Sequence, residues 1–396
     1  MHNKNFYNQN KFFIFIFLSY LFLIFTNNYV PLQVSVNMGF NDQVSYYQIM
    51  DFSPNLSETP ITPARAQRFV LSYLIGASLN FYDLKEFYYN FYLIFNILTH
   101  IFVIYFLIKI FNLIFLDKKL SLIFLLIIIF NPYIFRASLF APLMLNDQLF
   151  ILGSVILIYS FIRNDSFYLL FGVILSSLCR QTSMVFIPCF CIYLLYNILF
   201  QKDGLKIFNI NLLISIFLIF FNFYFTYEFS KSFSLISADY LIDKLSGIYL
   251  DDYSLKQLAI FIARYFVANL YIIILFVLLV SKQKLNLKLD FKFYIIFLIG
   301  IGIISQPLLA GPEDVSGNIN RLTALASPFF VIFFAKSLTS KSLKNLFSNN
   351  FFLFLLLLSS FHHNYSKIPL IDNLNYFILI FIIFIINMIY IFKKKL

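Results

Sequence analysis

Two aspartates and four arginines stand out in a chain built mainly of Phe, Ile and Leu: Asp42, Asp147, Arg65, Arg68, Arg180 and Arg321. A carboxylate can orient a hydroxyl or take its proton. An arginine offers a planar donor fork that matches phosphate, whereas lysine is a point charge. The chain has 22 Lys and only 7 Arg, so each arginine stands against the composition. Together these residue types suit the handling of a hydroxyl and a phosphate ester at one site.

Their local settings sharpen that expectation. Asn41-Asp42-Gln43 opens a short helical pattern containing Tyr46 and Tyr47, and the same tripeptide recurs as Asn146-Asp147-Gln148. Either aspartate also suits a helix cap. Thr62 reads as an N-cap and Pro63 as a first helical residue, which predicts one helix with Arg65 and Arg68 on a single face. A helix N-terminus would add amide donors there. Arg180 interrupts the apolar run 167–199 at Cys179-Arg180-Gln181-Thr182. A charge at the centre of a membrane helix costs at least about 2.5–3.5 kcal/mol, so it calls for a partner. The plainer alternative is a snorkelling hairpin tip. Asp239, Tyr240, Asp243, Tyr249 and Asp251 to Tyr253 fill the loop 227–257, and a solvated acidic loop accounts for them as well as hydroxyl binding and ring stacking do.

The elements that must hold these residues are set by composition. Apolar residues make up 61% of the 396 and charged residues 12%, against about 45–50% and about 25% in soluble domains. A water-soluble core could not bury that much hydrocarbon. We therefore expect an all-α polytopic protein, one integral membrane domain over 1–396, with roughly 10–13 helices of membrane-spanning character. Crossings are expected near 12–26, 91–115, 121–135, 147–162, 207–226, 258–280, 293–308, 322–338, 350–361 and 375–392. The run 167–199 is expected to fold as a hairpin of two short crossings. Phe69 to Leu79 is too short to span and suits a helix at the interface. The apolar stretch after Lys4 and Lys11 lacks a small-residue cleavage site, so it reads as the first membrane helix.

Charge orients this layout. With both termini inside, the inner segments total +14 and the outer segments −3, a strong positive-inside bias. The net charge of +11 thus reflects topology, and a nucleic-acid partner is not called for. The long hydrophilic stretches, about 27–90 and 227–257, fall outside, as do six of the seven arginines: Arg65, Arg68, Arg136, Arg180, Arg264 and Arg321. The working face is expected to be external. No cysteine or histidine spacing makes a metal site: Cys179, Cys189 and Cys191 lie in apolar sequence, His100 suits a packed polar contact, and His362-His363 has no third ligand.

Taken together, the pattern resembles the polytopic glycosyltransferases of the GT-C superfamily, which use lipid-phosphate sugars. The resemblance rests on Asp42 with Tyr46 after the first helix, on Arg65 and Arg68, on Asn146 and Asp147, on Arg180 to Thr182, and on Asn318 to Leu322. It implies that Asp42 and Asp147 are catalytic, and that Arg65, Arg68, Arg180 and Arg321 hold polyprenyl phosphate. It also implies that Tyr46, Asp239 and Tyr240 meet the acceptor, a glycan or lipid. A divalent cation, Mg or Mn, beside Asp147 fits the resemblance, although the first loop has no Asp-x-Asp to hold one. The implied location is a bacterial inner membrane. Two alternatives stand beside it: a polysaccharide (O-antigen or exopolysaccharide) polymerase, also a multi-pass enzyme with external arginines, and a lipid-linked-sugar flippase or transporter. The last should instead show related halves and broken helices with charges near the midplane.

Overall fold

A computed structural model describes residues 2–29, 41–56, 61, 63–114, 116–200, 207–232, 254–282, 289–309, 319–337, 350–360, 367 and 373–393. These residues form an all-α polytopic membrane protein. Five helical stretches are long and apolar enough to cross a bilayer, a bent pair adds a sixth, and six shorter apolar helices accompany them.

The amino-terminal helix α1 (His2–Phe25) is followed by α2 (Asn41–Phe52), a single turn at Pro63–Ala66, α3 (Phe69–Phe81) and the long α4 (Tyr88–Leu113). Helices α2 and α3 pack closely because Gly76 has no side chain. A Cβ there would stand 2.4 Å from the Met50 carbonyl oxygen. Tyr46, Ile49, Met50, Phe69, Ile75 and Leu79 form their shared core. This pair is the platform that carries Asp42, Arg65 and Arg68.

Helix α5 (Lys118–Phe130) begins at Asp117, whose carboxylate accepts from the Lys119 amide at 3.1 Å. The sequence suggests one straight crossing over 121–135. Instead the span breaks at Asn131-Pro132 and bends by 45°. Proline has no amide to continue the ladder, and the Asn131 side chain takes over by accepting from the Tyr133 amide. A wide turn (Pro132–Arg136) and two short helical pieces then lead into α6 (Leu145–Arg163).

Helix α6 is the central element. Of its apolar window 89% is buried, against 28% for the lipid-facing α9 (Ile207–Ser230). Asn164 in the left-handed conformation ends α6, and Asp165 caps α7 (Ser166–Cys179) through the Phe167 and Tyr168 amides. The two helices run back along each other at very close range. A Cβ on Gly153 would meet the Gly172 carbonyl oxygen at 2.8 Å, and the reverse holds equally. Such small-residue contacts replace the hydrophobic drive that is missing in lipid.

The run 167–199 does break at Arg180, into α7 and α8 (Phe186–Leu199) joined by a tight turn at Gln181–Val185. The expected hairpin is corrected in one respect: α7 packs on α6 and α9, while α8 packs on α9 and α11, so the two flank α9. Helix α10 (Leu255–Lys282) carries a non-helical residue at Asn269, and α11 (Phe291–Leu309) contains Pro307. The expected crossing 322–338 is split into α12 (Ile319–Ala324) and α13 (Ser327–Ser337), and α14 (Asn350–Leu358) is shorter than its sequence run. Helix α15 (Asn373–Lys393) closes the described chain and packs on α10.

Candidate functional site

The turn between α6 and α7 decides what meets at their far ends. Asp147 lies 16 residues before Arg163, and Arg180 lies 14 after Ser166, so an antiparallel pair brings both to one level. Arg180 Nη1 donates to Asp147 Oδ1 there. Both side chains are nearly inaccessible, at 2% and 10% exposure. Arg180 is therefore not a snorkelling tip. Asp147 is not a cap either: α6 starts at Leu145 without a side-chain cap, and Asp147 stands in its first turn.

The platform of α2 and α3 supplies the second pair. Asp42, in the first turn of α2, accepts from Arg65 Nε at 2.6 Å through Oδ1 and from Arg321 Nη2 at 2.7 Å through Oδ2. Arg321 then reaches the first pair, with its Nε 3.3 Å from Asp147 Oδ2. Its Nη1 lies 3.3 Å from the Met144 sulfur. Three distant stretches of sequence are thus joined through one guanidinium.

The predicted single helix bearing Arg65 and Arg68 is corrected. The turn Pro63–Ala66 ends after four residues, and Arg68 stands at the cap position of α3. The Arg68 amide donates to the Arg65 carbonyl at 3.0 Å, which closes a tight turn and points the two side chains differently. Arg68 Nε donates to Gln181 Oε1 at 3.1 Å, and its guanidinium hydrogen-bonds the Tyr46 side chain. Among the described residues no carboxylate forms an ion pair with Arg68. Thr62, Asp239 and Tyr240 lie outside the described residues, as do His362 and His363.

Charge in this cluster is unbalanced. Arg65, Arg68, Arg180 and Arg321 face two carboxylates, Asp42 and Asp147, and no third acid pairs with them among the described residues. Burial pushes the Asp42 carboxyl upward, but the Arg321, Arg68 and Arg65 guanidiniums outweigh it and hold it well below the usual carboxylate range. The Tyr46 hydroxyl, one helical turn on, is pushed above its ordinary value by burial. Two excess positive charges in a poorly hydrated site favour an anion.

Sequence reasoning does not single out Gln67. It is 2% exposed, and its Oε1 accepts from Gln181 Nε2 at 2.7 Å. Asn146 Nδ2 donates to the Arg68 carbonyl at 3.1 Å, so Gln67, Gln181, Arg68 and Asn146 form one hydrogen-bonded chain. The only signal in the sequence is an amide placed between two arginines in an apolar protein. Among the described residues, Gln67 Nε2 and Asn146 Oδ1 have no protein partner. Leaving such an atom buried and unpaired costs about 1–3 kcal/mol.

Two other polar groups have structural explanations. Arg136 donates to the Thr26 carbonyl and hydroxyl, both at 3.1 Å, and so covers the carboxyl end of α1, a favourable place for a cation. His100 lies between the Tyr20 hydroxyl at 2.7 Å and the Ser138 hydroxyl at 2.9 Å, stacked on Phe135, the packed contact its position suggests. Among the described residues no three His, Cys, Asp or Glu side chains converge as metal ligands.

Fold and site define the chain as a polytopic, all-α membrane protein with an arginine-rich, aspartate-bridged cluster joining its central helix α6 to the helix pair α2 and α3. In comparisons with known proteins, no family model, no curated protein and no solved structure matches it.

Proposed function

We propose that this protein is a membrane glycosyltransferase that moves a sugar from a polyprenyl-phosphate donor to a glycan or lipid acceptor. In this reading it acts on the external face of a bacterial inner membrane, with both termini in the cytoplasm. The observation that carries the proposal is the charge of the site: three guanidiniums share two carboxylates, and a fourth, Arg68, pairs with neither. A phosphate ester supplies the missing negative charge, and its oxygens suit arginine forks.

The acceptor hydroxyl oxygen attacks the anomeric carbon, and the bond from that carbon to the phosphate oxygen breaks. The phosphate leaves with the electron pair. The hydroxyl proton passes to Asp42, with Asp147 holding Arg180 in place. Arginines fixed around a departing phosphate stabilise the charge that builds there, and such preorganised stabilisation usually contributes more to the rate than any other single effect. Clamped by two arginines, Asp42 is a weak base. Transfer of Arg321 onto the phosphate relaxes that clamp and raises the basicity of the carboxylate when it is needed.

The test is transfer of labelled sugar from polyprenyl-phosphate donors in reconstituted membranes. Asp42→Asn keeps the shape but removes the base, and transfer should fall about 10²–10⁴-fold while donor binding persists. Wild-type transfer rates in that variant would reduce Asp42 to a structural role. The break at Asn131 favours a second reading, a lipid-linked-sugar flippase, because interrupted helices mark transporter pathways. Movement of the donor across the bilayer without a new glycosidic bond would establish that reading instead.

A further inference from the structure

We infer that the carboxamides of Gln67 and Asn146 form a subsite for sugar hydroxyls beside the arginines, so that the site selects a phosphate ester bearing a polyol over a bare lipid phosphate. This inference rests on the transferase reading and names the part of the substrate that the arginines cannot read.

Each amide has one group left over. Gln67 uses its oxygen on Gln181 and keeps a buried –NH₂ donor without a protein partner among the described residues. Asn146 uses its nitrogen on the Arg68 carbonyl and keeps a buried oxygen acceptor in the same condition. Both residues are 2% exposed. Native proteins rarely leave such atoms unsatisfied, and each exception calls for an explanation. These two are set apart from the others by their hydrogen-bonded link to Arg68. A hydroxyl both donates and accepts, so two neighbouring hydroxyls satisfy one free donor and one free acceptor together. A bare phosphate has no donor for the Asn146 oxygen, and a prenyl chain offers nothing to either.

Placement agrees with chemistry. Gln67 lies between Arg65 and Arg68 in sequence, and Asn146 directly precedes Asp147. Both connect to Arg68 through hydrogen bonds, Gln67 by way of Gln181. Among the described residues Arg68 is the guanidinium with no carboxylate of its own, and this proposal assigns it to the phosphate. In this proposal a sugar joined directly to that phosphate meets the two amides that flank Arg68, Gln67 by way of Gln181 at the guanidinium and Asn146 at the backbone carbonyl. Neutral amides suit this task because they add no charge to a cluster whose charge belongs to the phosphate.

The experiment compares three ligands on the purified full-length protein in lipid nanodiscs. They are bare polyprenyl phosphate, the tightest-binding member of a panel of polyprenyl-phosphate glucose, galactose, mannose and arabinose, and the matching soluble sugar 1-phosphate. Wild type should bind the sugar-bearing lipid at least about tenfold tighter than the bare lipid phosphate. Gln67→Met, close in size but without the amide, should lose most of that preference and keep its affinity for bare polyprenyl phosphate. Gln67→Asn should keep part of the preference.

Equal binding of both lipids by wild type overturns the sugar subsite and leaves the phosphate reading intact. Failure of wild type to bind either lipid overturns the phosphate reading itself. Loss of both ligands in Gln67→Met overturns the subsite as well, because it makes Gln67 a support for Gln181 and Arg68. A soluble sugar 1-phosphate that matches the lipid-linked ligand would overturn the lipid-linked form of the substrate.

Discussion

Arg321 Nη2 donates to Asp42 Oδ2 at 2.7 Å, across 279 positions of sequence. The same guanidinium stands 3.3 Å from Asp147, so α2 and the central helix α6 are linked through one side chain of α12. A lysine could reach one of these carboxylates but not both, having a single charged nitrogen and no fork.

Arg321→Lys should therefore fold and keep its net charge while losing the bridge. Charge-assisted hydrogen bonds are each worth about 1.5–3 kcal/mol. Affinity for polyprenyl phosphate should fall by about 10–100-fold, and sugar transfer at least as much. Equilibrium binding beside a labelled-sugar assay checks this. Unchanged binding would remove Arg321 from the phosphate site.

The lowered ionisation point of Asp42 sets a pH window. Its carboxyl ionises in the folded protein well below the value of about 3.9 expected for the unfolded chain. Stability from its ion pairs is therefore fully present above that unfolded value, and is lost as pH falls through the lower folded value. The melting-temperature difference between wild type and Asp42→Asn should stay constant from pH 5 to pH 8, then shrink below about pH 4. Thermal unfolding in detergent across that range is the measurement. A difference that closes between pH 5 and pH 7 would mean that the arginines do not hold Asp42 as described.

Much of the fold is legible in the chain, and the exceptions have common causes. Apolar runs give the class and most helix positions. The meeting of Asp147 with Arg180 follows from counting residues on either side of the turn near Asn164. The breaks are harder to see. A window of hydropathy does not distinguish Phe130 from Phe135, so the bend at Asn131-Pro132 reads as one crossing. The separation of Arg65 from Arg68 depends on a four-residue turn stabilised by packing of α2 on α3, which no local propensity encodes. The pairing of Asp42 with Arg321 is a tertiary fact that residue type alone can only suggest. Gln67 escapes notice because a lone glutamine has no motif, and its burial is evident only once the helices around it are placed.

The close contact of α6 and α7 makes a steric prediction. A Cβ on Gly172 would lie 2.8 Å from the Gly153 carbonyl oxygen and 2.9 Å from the Leu157 amide nitrogen. Both are backbone atoms that cannot rotate away. Gly172→Ala should force the helices apart and cost about 1–3 kcal/mol, the usual range for overpacking. Because Arg180 follows the carboxyl end of α7, the variant should also weaken transfer more than its loss of stability explains. Thermal melting and specific activity, measured on the same folded fraction, test both parts. Wild-type stability would mean that the helices are not in contact at this level.

Asp147 and Arg180 allow structure and chemistry to be separated. Removing one member of a buried ion pair strands the other charge and costs about 3–5 kcal/mol, whereas replacing both with neutral groups is often nearly neutral. Arg180→Gln alone should lower the yield of folded protein sharply. Asp147→Asn alone should do so less, because Arg321 keeps its bond to Asp42 and the asparagine oxygen can still accept from Arg180. The double variant Asp147→Asn with Arg180→Gln should regain folding while sugar transfer remains at least about 10²-fold down, since one phosphate-binding arginine and the support for another are gone. A double-mutant cycle on melting temperature gives the coupling between the two residues. Recovery of stability without recovery of transfer would assign the pair to the reaction. Recovery of both would make it a structural bridge between α6 and α7, and would leave Arg65, Arg68 and Arg321 as the arginines that act on the substrate.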